Sequence, residues 1–169
     1  SKLLHDFCRK SLVSESSYDT FIKNLNRCKL VYGDDGPAAL LTVTKNNLNK
    51  LNEVVDHYKE LGFNNIFIRA LNPYGYAVDN KKELDYSVEE FVLAYKKALA
   101  YIIDMNLKGE FFVESYATIL LQRILTPFAT GFVDLQSPTG AGILGSIYYY
   151  NGDVYPADEG RMLAATGDR

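Results

Sequence analysis

The sequence is short of the residues that build metal centres and covalent staples. It holds two cysteines, Cys8 and Cys28, two histidines, His5 and His57, and no tryptophan. That inventory excludes a disulfide framework and argues against a zinc site or a cysteine-ligated cluster assembled from this chain alone. No apolar run approaches the ~18 residues a membrane helix requires, so no membrane partner is expected. Charge of one sign is also lacking: 18 Lys and Arg against 21 Asp and Glu leave a net charge of −3. Without a field of Lys and Arg, non-specific nucleic-acid binding is not expected. No signal peptide opens the chain, and with few thiols it reads as cytoplasmic. It starts on Ser1-Lys2 instead of Met and stops at Gly167-Asp168-Arg169 without a clear terminal element, so a piece of a longer protein is expected.

What is present suffices for a folded core. At 169 residues and 47% apolar composition, the chain is long enough to bury its own apolar surface without a metal or a disulfide. Residues 38–43 form a short apolar run suited to a strand buried on both faces, as in a parallel sheet. Leu48, Leu51, Val55 and Tyr58 then recur at helical spacing, with Asn46 or Asn47 as N-cap and Gly62 just past the end. Asn65-Ile66-Phe67-Ile68-Arg69 follows as a second strand, which completes a βαβ unit with a right-handed crossover. Upstream, Tyr18, Phe21, Ile22, Leu25 and Cys28 share one helix face capped near Ser16 or Ser17. Downstream, Ser87 with Glu90 forms a capping box. The helix it opens runs to about Asn106, with Phe91, Val92, Tyr95, Ala98, Leu99, Ile102 and Ile103 inward. Residues 111–113 suit a short strand and 115–125 a further helix. Near the end, Asn151-Gly152 between two β-prone runs predicts a hairpin with a type I′ turn.

Repeated βα units place functional residues at the C-terminal ends of strands. Here those ends are Thr42 to Thr44 and Arg69 to Asn72. Thr42 and Thr44, with Asn47, either bond a polar ligand lying over the sheet or cap the following helix. Arg69 either grips a carboxylate or phosphate with its fork or closes an internal salt bridge. His5, Asp6 and Arg9 lie within one turn of chain; with no nucleophile and base beside them, they read as a hydrogen-bonded loop. His57 reads as a surface histidine within its helix. Gly140-Ala141-Gly142-Ile143-Leu144-Gly145 matches G-x-G-x-x-G in letters only. A proline-containing loop precedes it and a hairpin follows, where a dinucleotide site needs a strand and a helix. Asp158 and Glu159 crowd against Arg161 and either pair with it or face a partner.

Five segments, in this order, carry a resemblance. They are Leu4-His5-Asp6-Phe7-Cys8-Arg9; Leu41-Thr42-Val43-Thr44 through to Leu61-Gly62-Phe63; Phe67-Ile68-Arg69-Ala70-Leu71-Asn72-Pro73-Tyr74-Gly75; Gly131-Phe132-Val133-Asp134-Leu135-Gln136-Ser137-Pro138; and residues 150–163, which begin Tyr150-Asn151-Gly152-Asp153-Val154-Tyr155-Pro156. Together they resemble the second half of a radical SAM peptide-maturase barrel and the start of its SPASM-like extension, closest to the maturases of His-Xaa-Ser systems. The resemblance spans nearly the whole chain. It implies an α/β fold: the C-terminal part of a partial (β/α)6 radical SAM barrel over residues 1–130, then a SPASM-like β-hairpin region over 131–169.

The same resemblance implies a chemistry. In the full-length parent, S-adenosylmethionine bound to a [4Fe-4S] cluster is cleaved reductively, and the 5′-deoxyadenosyl radical takes a hydrogen from a ribosomally made peptide. The cluster-binding CxxxCxxC loop of that family is absent here, so this chain alone is expected to hold no cofactor and to be inactive. By analogy Asp6 and Arg9 lie where the family binds the methionine carboxylate, Thr42 and Thr44 at the mouth of the fifth strand, and Arg69 and Asn72 at the mouth of the sixth. All six are the expected cofactor-binding residues. SPASM extensions carry cysteines where Thr139 and Ala157 stand here, and neither side chain can replace a thiolate. A second reading is a cluster-free module that binds a peptide or protein on the half-barrel. Exposed sheet edges also predict self-association.

Overall fold

A computed structural model of the chain describes residues 2–9, 15–33, 36–72, 76–132 and 140–167. The protein is mixed α/β, 56% helix and 11% strand, so helices supply most of the surface that covers its small sheets. The chain divides into two compact units, Ser1–Thr118 and Ile119–Arg169. In chain order come α1 (Lys2–Cys8), α2 (Ser17–Tyr32), β1 (Leu40–Thr42), α3 (Leu51–Glu60) and β2 (Asn65–Arg69). Two short helices follow, α4 (Tyr76–Asp79) and α5 (Lys81–Leu84), then α6 (Val88–Leu107), β3 (Val113–Glu114) and α7 (Ser115–Leu125), within which the unit boundary falls.

The first unit is built on a parallel sheet in the order β1-β2-β3. The βαβ unit expected over 38–70 is present, with Leu40 opposite Phe67 and Thr42 opposite Arg69. Its strands are not buried on both faces. Ala39, Val43, Ile66 and Ile68 enter a core with Leu51 and Val55 of α3 and Ala98 and Ile102 of α6. The alternate residues Leu40, Thr42, Phe67 and Arg69 share the second face, because successive side chains of a strand point to opposite sides. Leu40 is 53% exposed there, and the Phe67–Tyr116 ring contact at 5.4 Å covers only part of that face. Continuous apolarity in residues 38–43 therefore marks a strand covered by one layer of helices.

Two helices depart from expectation. Residues 4–8 are not a loop but most of α1, which docks on the start of α2 through Asp6. In α6 both halves of the Ser87–Glu90 capping box are made, at 3.1 and 2.8 Å. Its inward stripe runs through Phe91, Tyr95, Ala98, Ile102 and Met105, which leaves Val92 40% and Ile103 52% exposed where both were expected inward. One helix face cannot turn all of these apolar residues to the same sheet.

The second unit holds the hairpin β4 (Ile147–Tyr148) and β5 (Val154–Tyr155), followed by α8 (Asp158–Ala165). The turn is not type I′. That turn needs positive φ at both central residues, and only Gly152 has it, at +92°. Gly152 N–H donates to Tyr149 C=O at 3.0 Å and Tyr149 N–H to Asp153 C=O at 2.9 Å. This is a three-residue loop with glycine in the left-handed position. The charges at the start of α8 pair with one another, Arg161 bonding Asp158 at 2.7 Å. Residues 133–138 and Thr139, which the resemblance quotes, lie outside the described residues, as do Pro73-Tyr74-Gly75.

Candidate functional site

The C-terminal ends of β1 and β2 are clamped together by one side chain. The Tyr86 hydroxyl donates to Val43 C=O at 3.1 Å and accepts from Leu71 N–H at 2.7 Å. Nothing in the sequence around Tyr86 signals this role, since it only precedes the Ser87 cap. Between β1 and α3, Asn47 stitches its own loop. Its Oδ1 accepts from Thr44 N–H at 2.8 Å, its Nδ2 reaches Thr42 C=O at 3.4 Å, and it makes no side-chain cap on the 3-10 turn Leu48–Lys50 that leads into α3. With the loop secured by the amide, the Thr44 hydroxyl is buried and has no hydrogen-bond partner among the described residues. The Cys8 thiol approaches it without normal hydrogen-bond geometry. Burial raises the Cys8 pKa, against the smaller downward pull of the Thr44 hydroxyl and the Arg9 charge.

A cleft of about 760 Å³ opens beside these strand ends. Five of the six expected residues line it: Arg9, Thr42, Thr44, Arg69 and Asn72. Asp6 does not. Its carboxylate takes the N–H of Tyr18 at 2.8 Å and the hydroxyls of Ser16 and Ser17 at 2.8 and 3.0 Å. These bonds, the Tyr18 N–H foremost, hold its pKa below the usual aspartate value. Asp6 thus serves the N-terminus of α2, where free N–H groups attract a carboxylate.

Charge in the cleft is one-sided. No aspartate or glutamate is among the described residues that line it, and neither Arg9 nor Arg69 makes an ion pair with a described residue. Guanidinium groups free of carboxylates, an unsatisfied hydroxyl and apolar walls that include Phe21, Tyr58 and Phe63 suit an anionic ligand with an apolar body. Burial raises the Tyr58 pKa and lowers that of His5, so both side chains present neutral rings near pH 7. His57 is less bland than its sequence context implies: its Nε2 lies 2.9 Å from the Tyr18 hydroxyl, on the cleft wall. Spacing alone gives no sign of that pairing across 39 residues.

The donors here fit the two implied cofactors unequally. Cys8 ends α1 and Cys28 lies in α2, and both are free. A chain with two thiols lacks the thiolate set of a [4Fe-4S] cluster, and among the described residues no three His, Cys, Asp or Glu side chains gather as a metal site. Ala157 precedes α8 and carries no donor. For the carboxylate of a small-molecule cofactor the donors present are Arg9 and Arg69, which line a cleft with no acid among its described lining residues. Compared with protein-family models, with curated proteins and with solved structures, the chain matches none of them. No helix among the described residues is long and apolar enough to cross a membrane.

Proposed function

We propose that the chain is part of a cytoplasmic radical SAM peptide maturase, comprising the last strands of a partial (β/α)6 barrel and a SPASM-like hairpin. The observation that supports this most is the convergence of Arg9, Thr42, Thr44, Arg69 and Asn72 on one cleft at the ends of parallel strands, with no acid among the described residues that line it. Arg9 and Arg69 would hold the methionine carboxylate and Thr44 would lend its spare hydroxyl, while Asp6 acts indirectly by seating α1. Radical hydrogen abstraction from a peptide is what bound S-adenosylmethionine would bring to the parent. No step passes through a cluster on this chain's own residues. The test compares iron content after anaerobic reconstitution of this chain and of its longer parent. Stoichiometric iron in the parent alone is expected; stoichiometric iron in the 169-residue chain overturns the reading.

A second reading, a cluster-free peptide-binding module, draws support from the place of β1 at the edge of the sheet among the described residues. The reading frame upstream of Ser1 separates the two: an in-frame CxxxCxxC favours the maturase and a nearby start codon the module. In either case the half-covered sheet face around Leu40 favours self-association, which light scattering at increasing concentration measures.

A further inference from the structure

Helix α6 carries a second apolar stripe on the side turned away from the sheet. Its inward stripe, Phe91, Tyr95, Ala98, Ile102 and Met105, packs on the core. At 3.6 residues per turn, Leu93, Ala100, Ile103 and Leu107 fall on the opposite side of the helix. Leu93 is 61%, Ile103 52% and Leu107 82% exposed, and Ala100 is exposed with them. With Lys96 they follow one another three, four, three and four residues apart, the a and d pattern of a helix that pairs with another helix. Exposed charges accompany the stripe and alternate along it: Glu89, then Lys96 and Lys97, then Asp104, then Lys108. Among the described residues, the one ion pair these five make is Asp104 with Lys108.

We propose that this face joins two copies of the chain, α6 pairing with α6 in antiparallel orientation about a two-fold axis near Ala100. The order of charges selects both the occupant and the geometry. Antiparallel helices set Lys96 and Lys97 of each copy beside Asp104 of the other, and Glu89 beside Lys108. A parallel pair brings every charge against its own like. Two-fold symmetry makes each of these contacts twice. Lys108 does not exclude them, since one carboxylate accepts from more than one donor. Ala100, the smallest side chain of the stripe, lets the backbones approach where the helices cross, and Leu93 of one copy meets Leu107 of the other. From Leu93 to Leu107 the stripe runs ~21 Å, a contact at the small end of specific interfaces, so the dimer is reversible, with a Kd of ~10 µM or weaker. The inference goes beyond both functional readings and depends on neither, because no residue of α6 lines the cleft and the face points away from the sheet.

Sedimentation velocity of the 169-residue chain from ~5 to ~500 µM reads the association, and the mean mass should rise from monomer towards dimer. Ile103→Glu places a charge in the middle of the stripe and should weaken the dimer ~10-fold or more. A charge exchange tests the orientation. Asp104→Lys alone, and Lys96→Glu combined with Lys97→Glu, should each weaken the homodimer ~10-fold. Mixing the two variants should restore association as a heterodimer, in which positions 96, 97 and 104 again face opposite charges. The exchange alters only exposed side chains, so it remains readable if Ile103→Glu does not fold. Leu40→Ser, on the half-covered sheet face, should leave the dimer intact. A monomer throughout the range, a dimer indifferent to Ile103→Glu, a mixture no tighter than its parts, or a dimer lost in Leu40→Ser would each overturn the proposal, the last by assigning the association to the sheet.

Discussion

The two edges of the small parallel sheet treat buried polar groups in opposite ways. On the β3 side, Glu114 is 3% exposed. Its carboxylate takes Ile68 N–H at 3.0 Å, the Tyr95 hydroxyl at 2.5 Å and Ala117 N–H at 2.5 Å. It thereby substitutes for the ladder partner that β2 loses where β3 ends, and seats the first turn of α7. Burial first, and then the hydrogen bond to the Glu114 carboxylate, push the Tyr95 hydroxyl pKa far up. On the β1 side, among the described residues, the Thr44 hydroxyl has no hydrogen-bond partner and neither Arg9 nor Arg69 makes an ion pair. A satisfied network belongs to the architecture, whereas an unsatisfied one is where a ligand finds free energy.

Substitutions can break or sharpen that contrast. The largest effect is expected from Glu114→Ala, which strands three donors and should cost about 3 kcal/mol or more in urea denaturation. A loss under about 0.5 kcal/mol would mean that the β3 edge is no more committed than the other. Thr44→Val should act with opposite sign, stabilising by ~1 kcal/mol because it deletes a buried hydroxyl without a partner, while weakening any ligand that uses it. Smaller again, Arg9→Gln with Arg69→Gln should leave the unfolding midpoint within about 0.5 kcal/mol of the parent chain and lower affinity for a carboxylate ligand in titration calorimetry.

The least effect at neutral pH, and one confined to acid, concerns Asp6. Its folded pKa is depressed, so its contribution is complete above the unfolded value near ~4 and is lost as pH falls through the folded one. Stability of the native chain measured from pH 7 downward should therefore fall with this group, and Asp6→Asn should remove that part of the slope. An unchanged slope would show that α1 is seated by something other than the carboxylate.

Much of the first unit was legible because its signals are local. The βαβ order over 38–70 follows from an apolar run, a helical period and a second run; the Ser87–Glu90 box follows from two side chains three residues apart. Legibility failed where the deciding contact was distant or where two local rules agreed in sequence but not in backbone. Asn151-Gly152 has the letters of a type I′ turn, yet only the glycine adopts positive φ. Asp6 was placed at the ligand by the resemblance alone, and its bonds to Ser16, Ser17 and Tyr18, across residues of no fixed spacing, are visible only in the fold. Thr44 and Arg69 follow from the ends of the strands and Arg9 joined them only through the resemblance, whereas the absence of acids among the described lining residues is read from the fold.

By itself, the sequence determined that this is a mixed α/β chain with a parallel strand-helix-strand unit, that its two thiols cannot make a cluster, and which residues end the strands. Periodicity and composition suffice for that, since each depends on near neighbours or on simple counts. Only the tertiary structure decided which polar groups are spent and which are free. Asp6 and Glu114 are consumed by donors brought from elsewhere in the chain, while Arg9, Arg69 and Thr44 line one cleft and, among the described residues, the arginines make no ion pair and the Thr44 hydroxyl no hydrogen bond. Satisfaction of a hydrogen bond is a property of pairs of atoms in space, and no residue carries it alone.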